Sequence, residues 1–302
     1  MNARIFIDGQ AGTTGLGIAQ RLEADGGFSL ITLPETSRKS PEARAEAMGR
    51  ADLTVLCLPD DAAREAVAIA PQGTRILDAS TAHRVAPGWV YGFAELMPGQ
   101  AEMIAQAERV ANPGCYATGA IALLRPLTAL GLLAAEAPLS INAVSGYSGG
   151  GKTMIADHEA QGGPAFELYA LGLKHKHLPE IVRYGGLARA PIFVPSVGHF
   201  AQGMLVCVPL HLGQLSKVGS AAQLAEAYAD YYAGTETISV HRGIWGGNLD
   251  PQALNNTNRL EIFICANETA GQAVLVARLD NLGKGASGAA VQNMKLMLGL
   301  VA

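Results

Sequence analysis

Short apolar runs alternate with longer amphipathic ones through the first part of the chain. Arg4–Ile7 is a short apolar run, and Gly15–Ala24 carries Leu16, Ala19 and Leu22 at helical spacing. Phe28–Leu33, the fully apolar Leu53–Leu58 and Arg75–Leu77 predict three more strands, with helices over Pro41–Arg50 and Ala62–Ala70 between them. Apolar strands that alternate with helices must be covered on both faces. The pattern therefore predicts an α/β, Rossmann-type domain with a doubly wound parallel sheet. Ligands bind such sheets at the carboxyl ends of the strands.

Beyond residue 115 the pattern changes. Leu139–Ser145, Ile192–Pro195, Gln202–His211, Thr237–His241, Arg259–Ala266 and Gln272–Leu279 predict strands, and Ala221–Ala233 is the one clear helix among them. Many strands with few helices predict an α+β domain with a mixed or antiparallel sheet. One face of that sheet needs a cover of helices or a second subunit, which points to a homo-oligomer, dimer or tetramer. The tail, Ala286–Leu300, is helical again and apolar at Ala290, Val291, Met294 and Leu298, so it is expected to return to the first domain. The domains expected are 1–112 completed by 283–302, and 113–282.

Composition narrows the partners. The chain has 302 residues, 49% hydrophobic and 16% charged, enough to build two cores. A formal charge of −4 without a basic block argues against nucleic acid or an anionic membrane. The longest apolar stretch, Gly119–Leu139, holds Arg125 and Pro126 near its middle, which argues against a membrane helix. Cys57, Cys115, Cys207 and Cys265 lie far apart with no C-x-x-C pair. They suggest neither a disulfide framework nor a zinc site and fit a reducing cytoplasm. The chain runs from Met1 directly into its first strand, so no secretory leader is expected.

One segment stands out chemically. Cys115 follows the turn Asn112-Pro113-Gly114 and precedes the apolar run Ala120–Leu124. It falls in the first turn of the expected helix, where unpaired N–H groups and the positive dipole end stabilise an anion. A thiol so placed can have its pKa lowered from about 8.5 into roughly the 3.5–7.5 range. Cys57, Cys207 and Cys265 lie in apolar strand runs and read as core.

Other segments supply possible partners. Gly9-Gln10-Ala11-Gly12-Thr13-Thr14-Gly15 joins the first strand to the first helix, and such glycines let the backbone approach a pyrophosphate. After the second strand, Ser37, Arg38 and Lys39 favour the 2′-phosphate of NADP, with Glu35 dissenting. His175 and His177, in Lys174–Ile181, have no partners at metal-ligand spacing, so no metal is expected; they read as proton donors and acceptors beside a thiol, or as an exposed basic loop. The loop Ser145–Lys152 either cradles an anion through its backbone, with Ser148, Gly149 and Lys152 at hand, or is simply flexible. Ser80 and Arg84 follow a strand end, and Arg84 either clamps a carboxylate or phosphate or makes a structural ion pair. Asn281 and Gly283, in Asp280–Gly285, give close backbone approach at a helix start, beside a nicotinamide or with no function at all.

Taken together, the Gly9–Gly15 turn, Asp78–Arg84, Tyr91–Leu96, Asn112–Gly119, Ser145–Gly151, His177–Ile181 and Asp280–Met294 resemble the N-acetyl-γ-glutamyl-phosphate reductase family in its shorter form. The chain is similar, more distantly, to aspartate-semialdehyde dehydrogenase. The resemblance covers nearly the whole chain, and Asn-Pro-Gly-Cys and the last segment are its specific parts. It implies NADPH as cofactor, Cys115 as catalytic cysteine and one histidine of the His175/His177 pair as acid–base. It also implies an acyl-phosphate substrate, with Gly9, Gly12, Thr13, Thr14, Gly15, Ser37, Arg38, Lys39, Ser80, Asn281 and Gly283 toward the cofactor. Arg84, Asn112, Ser148, Gly149 and Lys152 are then expected toward the substrate. In the mechanism implied, Cys115 displaces phosphate to form a thioester, hydride reduces it, and His175, or else His177, supplies or takes the proton. The rival readings are a related reductase acting on aspartyl phosphate or carrier-bound aminoadipyl phosphate, and a non-catalytic dinucleotide-binding regulator.

Overall fold

The computed structural model describes residues 2–300. They form two compact units: one runs to Gly114 and resumes at Ala286, the other is Cys115–Gly285. In the first, β1 (Ala3–Asp8), β2 (Phe28–Ile31), β3 (Leu53–Leu56), β4 (Ile76–Asp78), β5 (Val90–Tyr91) and β6 (Arg109–Ala111) make a parallel sheet ordered β2-β1-β3-β4-β6-β5. Helices α1 (Thr13–Asp25), α2 (Pro41–Arg50), α3 (Asp60–Ile69) and α4 (Gln100–Gln106) connect strands.

Successive side chains of β1 point to opposite faces and so build two layers. Ile5 and Ile7 join Ile18 and Leu22 of α1 in one, while Phe6 joins Ala47 and Met48 of α2 in the other. The C-terminal helix (Gly288–Met297) adds Ala290, Met294 and Met297 to the first layer. Fully burying a Met-sized side chain contributes about 1.5–3 kcal/mol, so this helix is integral to the unit. The strands β2 and β3 stop earlier than the apolar runs that announce them, because Pro34 and Pro59 lie just ahead. The pattern misses β5, α4 and β6, which are two, seven and three residues long and have too little period to read.

The second unit opens with α5 (Cys115–Ala129). Its sheet contains β7 (Ser140–Gly146), β8 (Phe166–Leu168), β9 (Ile192–Gly198), β10 (Met204–His211), β11 (Ile238–Ile244), β12 (Leu260–Asn267) and β13 (Gln272–Leu279), ordered β11-β12-β13-β10-β7-β9-β8. The pairs β7/β9 and β11/β12 are parallel and the rest antiparallel, so the sheet is mixed. On β10, Met204, Val206, Val208 and Leu210 are buried on the face that α5 covers. The helix comes so close there that a Cβ on Gly119 would lie 2.7 Å from Val206 Cγ2.

Ala221–Ala233 is not the sole intervening helix. Besides α8 (Ala221–Tyr231), α6 (Gly151–Gln161) and α7 (Leu178–Gly185) form. The first is masked by its glycine-rich start and the second by its eight-residue length behind two histidines. The helix α5 continues through Pro126, which has no N–H to offer the carbonyl of Ala122 four residues back. The Tyr232 hydroxyl donates to that carbonyl at 2.8 Å, and Tyr228 donates to the neighbouring carbonyl of Leu123. No helix among the described residues is long and apolar enough to cross a membrane.

Candidate active site

Cys115 is the first residue of α5, so the N–H groups of the first turn lie beside its thiol. The chain closes over it from the far end of the second unit. A Cβ on Gly285 would come within 2.8 Å of Cys115 Cβ, whereas carbon pairs are most stable at about 3.5–4.0 Å. Gly285 is kept there by its N–H, which donates to the carbonyl of Asp280 at 2.9 Å.

Aromatic side chains gather next to the cysteine. The ring of Tyr116 lies 5.7 Å from His175 and 6.0 Å from His177, and its hydroxyl donates to the Ser196 carbonyl at 2.8 Å. His175 and His177 are both buried, which excludes the exposed-loop reading. Nδ1 of His175 accepts the His177 backbone N–H at 3.1 Å, and its Nε2 is 3.3 Å from the Tyr169 hydroxyl. Burial pushes the Tyr169 phenol up to about 12; its hydrogen bond with Tyr116 opposes the shift and the charge of Cys115 adds to it. Burial lifts the Tyr116 phenol further still, with Tyr169 and Cys115 adding. Both tyrosines thus sense the cysteine and stay neutral. The sequence reading does not single out Tyr169, Tyr116 or the buried Glu180 of α7. The available signal is only a tyrosine beside the cysteine and another before the histidine pair.

The loop after β7 is ordered, not flexible. Residues Tyr147–Gly150 form a 3-10 turn that leads into α6. Ser148 Oγ accepts from Asn281 Nδ2 at 3.0 Å, and Asn281 Oδ1 accepts the Gly203 N–H at 2.8 Å. A Cβ on Gly149 would lie 3.1 Å from Ser145 Oγ, and one on Gly283 would overlap the Thr257 carbonyl. Here Ser148, Gly149, Asn281 and Gly283 all serve local packing and hydrogen bonding. Lys152 is exposed in the first turn of α6 and takes no part in this network.

In the first unit the glycine turn borders a cavity of roughly 620 Å³. Gly9 has φ +86°, and a Cβ there would run into the Cys57 carbonyl. Gly12 caps α1 with no side-chain bond, and Thr13, Thr14 and Gly15 open the helix with no acidic side chain in the first turn. Their N–H groups have no intrahelical acceptor, as a bound pyrophosphate requires. Arg38 and Lys39 line the cavity with Gly9 and Gly12. The dissenting Glu35 is exposed and pairs with Arg38 at 3.0 Å. The acidic residue that lines the cavity, Asp8, is held by Arg44 at 2.7 Å. Desolvation nevertheless raises the Asp8 pKa, with Arg44 opposing the rise. The residues present fit a nicotinamide dinucleotide.

Other expected contacts are already engaged. Ser37 closes a turn onto the Pro34 carbonyl at 3.0 Å. Ser80 donates from Oγ to Asp78 at 2.7 Å, and the same carboxylate meets His83 Nδ1 at 2.6 Å. Arg84 is buried and donates to the Asn112 carbonyl at 3.0 Å. The Asn112 side chain donates to the Ala286 carbonyl at 3.1 Å and accepts from Asn293 at 3.0 Å. The sequence reading assigns no partner to His83, which also stacks on Trp89 at 4.2 Å. Among the described residues no group of three or more His, Cys, Asp or Glu is placed to hold a metal ion.

Comparison with known proteins agrees with this division. Residues 4–104 match the semialdehyde dehydrogenase NAD binding domain, and residues 115–281 match the semialdehyde dehydrogenase dimerisation domain. The chain is 52% identical to N-acetyl-gamma-glutamyl-phosphate reductase of Chelativorans sp., covering 99% of each protein. It is 53% identical to N-acetyl-gamma-glutamyl-phosphate reductase 2 of Pseudomonas putida, over 98% of this chain and 96% of that one. Aspartate semialdehyde dehydrogenase II of Vibrio cholerae, complexed with ASA, superposes with a TM-score of 0.74 at 16% identity over 99% of each chain. Aspartate semialdehyde dehydrogenase of Candida albicans, with NADP, gives 0.66 at 13% identity over the full length of both. At that identity the structural likeness speaks to the fold alone.

Proposed function

This chain belongs to the N-acetyl-γ-glutamyl-phosphate reductase family, and from that premise we propose that Cys115 carries the acyl group of its substrate as a thioester. The protein is an oxidoreductase of arginine biosynthesis that reduces N-acetyl-L-glutamyl 5-phosphate to N-acetyl-L-glutamate 5-semialdehyde and phosphate. An acyl phosphate joins a reactive carbonyl to a good leaving group, which suits attack by a thiolate. The observation that carries the reading is the setting of Cys115: first in its helix, closed over by Gly285, with Tyr169 and Tyr116, which pack against His175, close enough to feel its charge.

Each residue then has a task. The amides at the start of α5 stabilise the Cys115 thiolate and the oxyanion formed on attack. His175 serves the oxygen of the reacting carbonyl. Gly9, Gly12 and the opening amides of α1 hold the pyrophosphate, and Arg38 and Lys39 hold the 2′-phosphate, which makes NADP the cofactor. When bound, the reduced dinucleotide supplies the hydride. The half-buried apolar face of the second sheet, including Leu205, Cys207 and Pro209 of β10, supports a homo-oligomer. Four free cysteines suit a reducing cytoplasm.

The test runs the reaction backwards, with N-acetylglutamate semialdehyde, phosphate and NADP. Phosphate-dependent NADPH formation is expected from the wild type. Cys115→Ser is expected to abolish it while NADP still binds. Turnover near the wild-type rate in Cys115→Ser would end the thioester reading, and a preference for aspartate semialdehyde would end the substrate reading.

A further inference from the structure

Asp8 and Arg44 are buried charges of the first unit with no part in the thioester chemistry. Asp8 ends β1 directly ahead of Gly9, and side chains alternate along a strand, so it shares the face of Phe6, toward α2. From α2, Arg44 Nε donates to Asp8 Oδ2 at 2.8 Å, and Nη2 lies 2.7 Å from the same oxygen. Nη2 is buried and makes no hydrogen bond, so what it offers the carboxylate is charge.

The pair is not needed to seat α2. Ala47 and Met48 already pack with Phe6, Leu56, Ala63 and Ala66. A buried ion pair is weak evidence for stability, because apolar side chains of similar volume often do as well. What sets this pair apart is that Asp8 lines the cavity beside the glycine turn.

A carboxylate in that wall opposes an anionic ligand. The pyrophosphate held by the Gly9–Gly15 turn is negative, and partly buried charges are screened little. At an effective dielectric of about 20, two unit charges about 8 Å apart still change an equilibrium by more than tenfold. Among the described residues the other charged groups lining the cavity are Lys39 and Arg38, and Arg38 already faces Glu35. The acidic groups of the adjoining elements are neutral or paired. Burial pushes the Cys57 thiol up to about 12, with Asp78 and Asp8 adding. Asp78 of β4 meets Ser80 and His83, Asp60 of α3 accepts from Thr81, and Asp61 pairs with Arg64. Asp8 itself is raised by desolvation, with Arg44 opposing the rise.

We propose that Arg44 sets cofactor affinity from behind the cavity wall: it cancels the charge of Asp8, so that the phosphates of the dinucleotide meet a neutral wall beside the glycine turn. Arg44 acts through Asp8 and is a positioning residue. The proposal rests on the reading that this cavity holds NADP.

Removing Arg44 makes the effect depend on pH. In Arg44→Met the carboxylate stays desolvated and loses its cation, so its pKa rises further. Ionised, Asp8 repels the phosphates; protonated, it does not. The loss of affinity is therefore largest at high pH and fades as pH falls through the raised pKa of Asp8. The 2′-phosphate itself titrates at about pH 6, so each variant is compared with the wild type at the same pH.

Isothermal titration calorimetry with NADP tests this on the whole chain without turnover. Arg44→Met is expected to raise the Kd at least tenfold at pH 8, with the ratio to wild type falling toward one by pH 5.5. The double variant Asp8→Asn with Arg44→Met leaves no charge unpaired, and its Kd is expected within threefold of wild type at both pH values. It carries the test even where Arg44→Met does not fold. A double variant more than threefold weaker than wild type would overturn the proposal, because Arg44 would then act through structure and not through the charge of Asp8. So would a loss in Arg44→Met that does not change with pH, or wild-type affinity in that variant at pH 8. A wild type that binds NAD and not NADP would end the NADP reading, and the same variants titrated with NAD would still decide the role of Arg44. A wild type that binds neither would overturn both.

Discussion

Replacing Tyr232 by Phe tests how the helix that begins with Cys115 survives a proline. Pro126 cannot donate to the Ala122 carbonyl, and the Tyr232 hydroxyl does so at 2.8 Å. Both Ala122 and Tyr232 are buried, so water cannot take over when the hydroxyl is removed. Leaving one buried acceptor unpaired costs about 1–3 kcal/mol. The ring stays, so packing changes little and the effect is that of the hydroxyl. Urea unfolding followed by circular dichroism is expected to show a lower midpoint for Tyr232→Phe with an unchanged slope. The decisive comparison uses Pro126→Ala as the background. There the new N–H at residue 126 reaches the Ala122 carbonyl, and Tyr232→Phe is expected to cost less by about 1 kcal/mol, within the range of coupling energies for groups in contact. An equal cost in both backgrounds would refute the account, because Tyr232 would then act through something other than the carbonyl freed by Pro126.

Three further outcomes are expected. Gly285→Ala puts a methyl 2.8 Å from Cys115 Cβ, and a displacement of the nucleophile by about 1 Å lowers kcat by up to about a hundredfold with the KM for NADPH little changed; steady-state kinetics would separate the two. Arg38→Ala with Lys39→Ala removes both cationic groups lining the cavity, and charged hydrogen bonds contribute about 1.5–3 kcal/mol each, so the KM for NADPH is expected to rise at least about tenfold and that for NADH to stay. In the alkylation of thiols at pH 7, burial pushes Cys57 up to about 12 and Cys207 up to about 11, with nearby Asp78 and Asp8 adding at Cys57 and Cys265 adding at Cys207. A thiol three units above the usual value holds about a thousandfold less thiolate, so mass spectrometry is expected to find the iodoacetamide label first on Cys115.

Much of the chemistry is legible in the chain because it is written in local signals. The Asn-Pro-Gly-Cys turn before an apolar run places Cys115 at a helix start, and Cys115 does open α5. The Gly9–Gly15 turn between strand and helix lines its cavity for the same local reason. What is not legible depends on contacts distant in sequence. Ser196, which accepts from Tyr116, comes from β9, eighty residues away. Tyr169, which faces His175, sits in a connection with no period of its own. Arg84 and Asn112 are expected toward the substrate; in the fold Arg84 donates to the carbonyls of Ala79 and Asn112, and the Asn112 side chain bonds Ala286 and Asn293, contacts that no local signal announces.

The glycines of Asp280–Gly285 make the same point more sharply. A glycine announces that something comes close to its backbone, and the sequence supplies a ready candidate, the nicotinamide. In the second unit Gly283 faces the Thr257 carbonyl and Gly285 faces Cys115. The fully buried Asp280 holds this strap in place, accepting from Gln202 at 2.6 Å and from the N–H groups of Asn256 and Leu282 at 2.8 and 2.9 Å. A carboxylate with three donors is expensive to disturb, because losing one partner leaves charge buried and unpaired. Asp280 therefore keeps Gly285 against Cys115 without touching the cysteine. Two residues far apart in the chain, one a catalytic candidate and one a plain backbone position, are held against each other because a third fixes the path between them.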